Sequence, residues 1–165
     1  MLEFLIYFSY RLIEKQRLLM KLSTKGRYGT RAMLDIAQHN PMGPTLMKDI
    51  SKRQDIAPKY LDHILSALRK AKLLKNTRGK CGGYTLSRPA SMITLKDIVE
   101  AVEGPLSPVE CVDNHSFCDR IYTCPTREVW GRLKQAIGDV LGSTTLESLI
   151  ESEKSRITPP DNYSI

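Results

Sequence analysis

Three cysteines, Cys111, Cys118 and Cys124, fall within 14 residues in the spacing C-x6-C-x5-C, whereas the fourth, Cys81, stands alone. Thiolates gathered on one segment bind soft or borderline metals, and an iron–sulfur cluster and Zn²⁺ are the two ordinary choices. The spacing departs from the short C-x2-C knuckles of structural zinc sites and favours a cluster. Three thiolates leave one coordination position open, to be filled by a non-cysteine side chain, by a second subunit or by an exogenous molecule. A cluster with a weak or displaceable ligand is more easily lost or modified by oxygen, nitric oxide or iron shortage, so the vacancy suits sensing. The plain alternatives are unmodified thiols or a redox disulfide switch. Cys81 is read without a metal role.

The elements around this segment carry a second chemistry. Residues 20–90 hold 15 Lys and Arg against 4 Asp and Glu, a balance of +11, while residues 91–165 balance at −5. A basic charge confined to one half of a 165-residue chain of net charge +7 suits a polyanion, because each neutralised phosphate releases condensed counterions. Nucleic acid is the leading partner; the alternative is a solvated basic face. No apolar run is long enough to span a bilayer. The apolar stretch Leu2 to Tyr10 contains Glu3 and has its basic residues after it, which fits neither a signal peptide nor a membrane span. Four cysteines without a secretory context favour thiols or metal ligands over disulfides, and place the protein in the cytoplasm.

Helical spacing of Tyr28, Ala32/Met33 and Ile36/Ala37 after Ser23 predicts a first helix, ended by the breaker cluster Asn40-Pro41-Met42-Gly43-Pro44. A short helix over Met47 to Gln54 follows, and then a longer one opening at Pro58. In the latter Leu61, Ile64, Leu65 and Leu68 make one apolar stripe, opposite Lys59, Asp62, His63, Ser66, Arg69 and Lys70. Such a tightly joined pair is the arrangement that sets a recognition helix in the major groove, although many small bundles contain one. Leu73 to Leu86 then reads as two short strands around a Gly-rich, basic tip, which is a wing. Gly82 and Gly83 permit close approach to a backbone, and Arg78 and Lys80 sit where a phosphate or the minor groove would lie. Thr94 to Asp97 is a capping-box signature opening a scaffold helix with Leu95, Ile98, Val99 and Val102 on its apolar face. From Pro125 another amphipathic helix runs to about Gly142 with Trp130, Leu133, Ile137 and Val140/Leu141 at core spacing. It lacks a partner in its own chain, and pairing with its copy in a two-fold dimer would bury it. A last short helix is expected over Thr145 to Glu153.

The fold class is therefore mainly α: a winged helix-turn-helix with a small β-wing and a long C-terminal dimerisation helix. The expected divisions are an N-terminal extension over 1–19, the DNA-binding domain over 20–104, a cysteine-bearing cluster loop over 105–124, the dimerisation and terminal helices over 125–155, and a tail over 156–165. Lys59, Tyr60, Asp62 and His63 would lie nearest the bases. Arg69, Lys70, Arg78 and Lys80 would mostly meet phosphates.

Ordered motifs now agree over nearly the whole chain. From Met20-Lys21-Leu22-Ser23-Thr24-Lys25-Gly26-Arg27-Tyr28-Gly29, through Asp49-Ile50-Ser51 and Tyr60-Leu61, to Arg78-Gly79-Lys80-Cys81-Gly82-Gly83-Tyr84 and on through the three cysteines and Trp130, the sequence resembles the IscR/NsrR/CymR-type (Rrf-type) regulators. The resemblance implies a homodimeric repressor or dual regulator of a palindromic duplex operator, with Lys25, Arg27, Tyr28, Gly82 and Gly83 added to the DNA-facing set. It also implies an iron–sulfur cluster on Cys111, Cys118 and Cys124, with [2Fe–2S] favoured over [4Fe–4S]. Met20 resembles the usual start, so that residues 1–19 are expected to derive from an upstream start codon.

The sequence departs from this pattern in three places. Some cluster-binding relatives carry a histidine three residues after the last cysteine, where this chain has Arg127; nitric-oxide sensors use an aspartate where it has Arg27; and Cys81 replaces a frequent third glycine of the wing. His115, Asp113, Asp119 and Glu128 are the local candidates for a fourth ligand, each more easily read as a solvated polar residue. A cluster-free relative responding through thiol oxidation, zinc or a partner protein, as in cysteine metabolism, is the alternative regulator, and a DNA-binding or scaffold protein with structural zinc is another. An enzyme or electron carrier is disfavoured: no nucleotide-binding glycine loop, no H-E-x-x-H and no Ser/His/Asp set is present, and no small-molecule substrate is implied.

Overall fold

A computed structural model describes residues 23–77, 79 and 82–157. Arg78, Lys80 and Cys81, and the residues of the 1–19 extension, lie outside the described residues. The chain divides into two compact units. Leu106–Ala136 forms one; the described residues up to Pro105 and from Ile137 form the other, here called the head.

The head is built from helices α1 (Thr24–His39), α2 (Met47–Gln54), α3 (Pro58–Lys70) and α4 (Leu95–Glu103), and from strands β1 (Leu74–Thr77) and β2 (Gly83–Leu86). Helix α5 (Thr126–Ser143) runs from the cysteine unit into the head, and α6 (Leu146–Ile157) follows it. Helix α1 starts where Ser23, in an extended conformation, accepts a hydrogen bond from the Lys25 N–H on its side chain. Its first turn has a second cap from far away. Glu103, the last residue of α4, accepts from the Ser23 N–H (2.9 Å) and the Gly26 N–H (3.0 Å), placing a carboxylate on the positive end of α1. Gly26 leaves the room: a Cβ there would overlap Glu103 Oε1.

Helix α2 ends at Asp55 in the left-handed region (φ 50°), and the Ser51 hydroxyl and carbonyl engage the Ile56 carbonyl and N–H to fix the turn into α3. Pro58 opens α3, where its missing N–H costs nothing. All four stripe residues of α3, Leu61, Ile64, Leu65 and Leu68, are buried. They form one core with Ala32, Met33 and Ile36 of α1, Ile50 of α2, Ile98 and Val102 of α4, and Leu146 of α6. The capping box at Thr94 and Asp97 is complete, each side chain accepting from the other's backbone N–H.

The strands β1 and β2 pair antiparallel, with Leu74 opposite Leu86 and Thr77 opposite Gly83. Thr45 adds a third line by bridging Tyr84: the Tyr84 N–H donates to the Thr45 carbonyl at 2.8 Å and the Thr45 N–H to the Tyr84 carbonyl at 2.9 Å. The wing is thereby fastened to the segment that enters α2. A bridge between Thr94 and Thr145, with the Leu146 N–H donating to the Ile93 carbonyl at 2.9 Å, joins the α5–α6 corner to the start of α4. No helix among the described residues is long and apolar enough to cross a membrane.

Candidate nucleic-acid interface and metal centre

Helix α3 sorts its side chains as a groove-reading helix must. Its apolar stripe faces the core, and Lys59, Tyr60, Asp62, His63, Arg69 and Lys70 are exposed. Lys25 and Arg27 are exposed on the first turn of α1, and Tyr28 is half-buried because its ring packs edge-on against Tyr60, with centroids 5.9 Å apart and planes at 83°. One contact thus joins the DNA-facing candidates of α1 to those of α3. Gly82 and Gly83 are buried, and a Cβ on Gly83 would stand 2.7 Å from the Thr45 carbonyl oxygen. The close approach at Gly83 is to the protein's own backbone.

The joint between α1 and α2 is ionic. Asp35, 2% exposed, accepts from Arg53 Nε (2.8 Å) and Nη2 (2.7 Å) and from Gln54 Nε2 (3.2 Å). Burial pushes the Asp35 carboxyl up, but the hydrogen bonds from Arg53 and Gln54, with the charges of Arg53 and His39, outweigh it and hold the group below its ordinary value. A forked guanidinium grip of this kind fixes the orientation of α2 as well as its position.

In the other unit Cys111, Cys118 and Cys124 are half-buried and free of disulfides. The Thr126 hydroxyl lies 3.2 Å from Cys124 Sγ, and this contact first, with backbone N–H groups of Thr126 and Arg127 and the charge of Arg120, holds the Cys124 thiol below its ordinary value. Asp113 pairs with Lys134 and accepts from Ser107; the Lys134 and Ser107 hydrogen bonds lower its carboxyl. Arg127 donates to the Cys111 carbonyl (3.3 Å) and lies 3.2 Å from His115 Nε2. Among the described residues no three His, Cys, Asp or Glu side chains converge on a point that could hold a metal ion. The three thiols suit a thiophilic group, although as placed they do not form a three-donor site with one another. Two of the four candidates for a fourth ligand, Asp113 and His115, already have partners.

Residues 22–152 match the Rrf2 family, described as iron-dependent transcriptional regulators. The chain belongs to this family. It is 43% identical to protein rrf2 of Nitratidesulfovibrio vulgaris, over 79% of this chain and 87% of that protein. The regulator CymR of Bacillus subtilis is 42% identical over 79% and 89% of the two chains, and the regulator IscR of Xenorhabdus nematophila 38% over 82% of each. In structure, the head and cysteine unit resemble T. potens IscR (TM-score 0.71, 36% identity, 84% of this chain and 92% of that one). They also resemble B. subtilis CymR, a global cysteine regulator (TM-score 0.68, 40% identity, 81% and 98%). The winged-helix architecture is thus that of solved Rrf2 relatives, which are named as transcriptional regulators.

Within this Rrf2 frame the sequence pattern overlooked Asp35, Arg53, Gln54 and Glu103. Each acts on a partner 18 to 80 positions away. The signal available for Asp35 was its position, one residue before Ile36 on the buried side of α1: a carboxylate at such a place needs a cation.

Proposed function

We propose that this regulator binds duplex DNA as a homodimer in the cytoplasm, and that the state of Cys111, Cys118 and Cys124 controls that binding. The observation that carries the reading is the confinement of three disulfide-free thiols to one 14-residue segment leading directly into α5. The three thiolates would hold an iron–sulfur cluster, [2Fe–2S] in preference to [4Fe–4S], which supplies an oxygen-, nitric-oxide- or iron-sensitive group when bound. A ligand shared by Cys111, Cys118 and Cys124 would order this segment, and Arg127, which donates to the Cys111 carbonyl, and Lys134, which pairs with Asp113, would be the residues of α5 placed to register the change.

Helix α5 buries none of its residues, and Val129, Leu133 and Val140 are 54%, 38% and 65% exposed. A second copy of α5 is the occupant that would cover this stripe and set two heads on the half-sites of a palindrome. In each head Lys59, Tyr60, Asp62 and His63 meet base edges, Lys25, Arg27, Tyr28, Arg69 and Lys70 the backbone, and Arg78 and Lys80 at the wing tip, carried by Gly82 and Gly83, phosphates or the minor groove. No enzymatic step and no small-molecule substrate enter this reading.

A cluster-free regulator responding through thiol oxidation, zinc or a protein partner is the second reading. Its support is the 42% identity to CymR and the lack, among the described residues, of a converging three-donor group. Visible absorption with iron, sulfide and zinc analysis of protein purified without oxygen separates the two. Iron and sulfide in near-equal amounts, lost in Cys111→Ala, is the expected result. Colourless, iron-free protein that also fails reconstitution refutes the cluster and leaves DNA binding to be tested by itself.

A further inference from the structure

Arg31 stands outside the DNA-facing set named above, yet it is exposed and held on two sides. Its guanidinium carbon lies 5.4 Å from the centre of the Tyr28 ring. Its Nε donates to Gln54 Oε1 at 3.1 Å, and its Nη2 donates to the Gln54 carbonyl. Tyr28 in turn packs on Tyr60 in the first turn of α3. Arg31 therefore joins α1 to the last residue of α2 directly, and reaches the start of α3 through Tyr28.

The neighbouring arginine shows what is unusual. Arg53 spends its charge inward on Asp35, whereas among the described residues Arg31 forms no ion pair and rests only on neutral acceptors. A guanidinium has five N–H donors, and Arg31 uses those of Nε and one of Nη2, leaving donors and the full charge available. A surface arginine ordinarily loses rotamer freedom when it is immobilised. Here the tyrosine face and Gln54 have already restricted it, so a further contact costs little more order.

We propose that Arg31 is an additional DNA contact, a prearranged guanidinium that takes a phosphate oxygen beside the first turn of α3. The inference rests on the DNA-binding reading of the head. The competing role is structural: donation to the Gln54 carbonyl complements the negative end of α2, and a residue serving only that end leaves DNA affinity independent of its charge.

The test is binding of the full-length protein to a short mixed-sequence duplex over a range of KCl concentrations, a probe that needs no knowledge of the operator because non-specific binding is made by phosphates. Wild-type protein that shows no salt-dependent binding overturns the DNA reading itself. If wild type binds, Arg31→Gln is expected to reduce the slope of log K against log[KCl] by about 0.9 per protomer. An unchanged slope in a variant that melts with wild type overturns the role of Arg31 alone. Should that variant fold poorly, phenylglyoxal labelling of wild type, read by peptide mass, takes its place: Arg31 protected by the duplex is expected, and equal labelling with and without duplex overturns the proposal.

Discussion

Gly83→Ala is expected to unfasten the wing. A Cβ at that position meets the Thr45 carbonyl oxygen at 2.7 Å, the Thr45 carbonyl carbon at 2.9 Å and the Pro44 carbonyl carbon at 3.1 Å. All three are backbone atoms, so no side chain can rotate away. Retaining the bridge leaves overpacking strain of about 1–3 kcal/mol. Releasing it gives up the two Thr45–Tyr84 hydrogen bonds, each worth about 1 kcal/mol net, and uncovers the packing beneath them. The cost is thus about 1–3 kcal/mol, and at about 2–4 °C per kcal/mol for a chain of this size the melting temperature should fall by roughly 2–12 °C. Thermal unfolding followed by far-UV circular dichroism measures this, with Gly131→Ala in α5 as the contrast. Gly131 has nothing within 4 Å of its Cβ position, so alanine there should raise stability by roughly 0.5–1 kcal/mol through helix propensity. A Gly83→Ala protein melting within about 2 °C of wild type would refute the view that the wing is held by this close backbone approach.

Asp35→Asn should cost about 2 kcal/mol, the range for hydrogen bonds to a charged group, and should change the acid limb of the stability profile. Because the Asp35 carboxyl is depressed in the folded state, its contribution is present above the unfolded carboxyl value of about 3.9 and is lost as pH falls through the lower folded value. Wild type should therefore lose its advantage over Asp35→Asn below about pH 4; melting curves whose separation is the same at neutral and acid pH would show that the pair is not titrating. Leu133→Lys with Val140→Lys should shift the protein from dimer to monomer in analytical ultracentrifugation by placing charges on the uncovered stripe of α5, and a dimer that persists would put the interface elsewhere.

What was legible in the sequence is what is local. Leu61, Ile64, Leu65 and Leu68 announce the buried face of α3 through their spacing alone, and Thr94 with Asp97 announces a helix start three residues apart; both are present as read. The pattern predicts a last helix over Thr145 to Glu153, and it runs Leu146–Ile157, because its end carries no stop residue before Pro159. The stripe of α5 has core spacing, yet α5 buries nothing within one chain, since periodicity shows that a face is apolar and not what covers it. Glu103 on Ser23, Arg53 on Asp35 and Thr45 on Tyr84 had no sequence signature: each is a match of polar groups that only the tertiary fold brings together. The cysteine segment was conspicuous as a donor set, whereas the separation of its sulfurs depends on loop conformation, which residue spacing does not fix.

The head is not finished when α4 ends. Leu146, fully buried, completes its core, and the Ile93–Leu146 backbone bond closes it, so residues 106–136 are an excursion whose two ends both return to the same folded body. Such a segment is a tether of fixed end points, and the entropy needed to hold those ends together depends on how free the intervening chain is. Anything that orders the excursion, whether a shared ligand on its thiols or a second α5, would shrink that freedom and so strengthen the head. Chain connectivity alone would thus carry an ordering of the cysteine segment to the stability of the head.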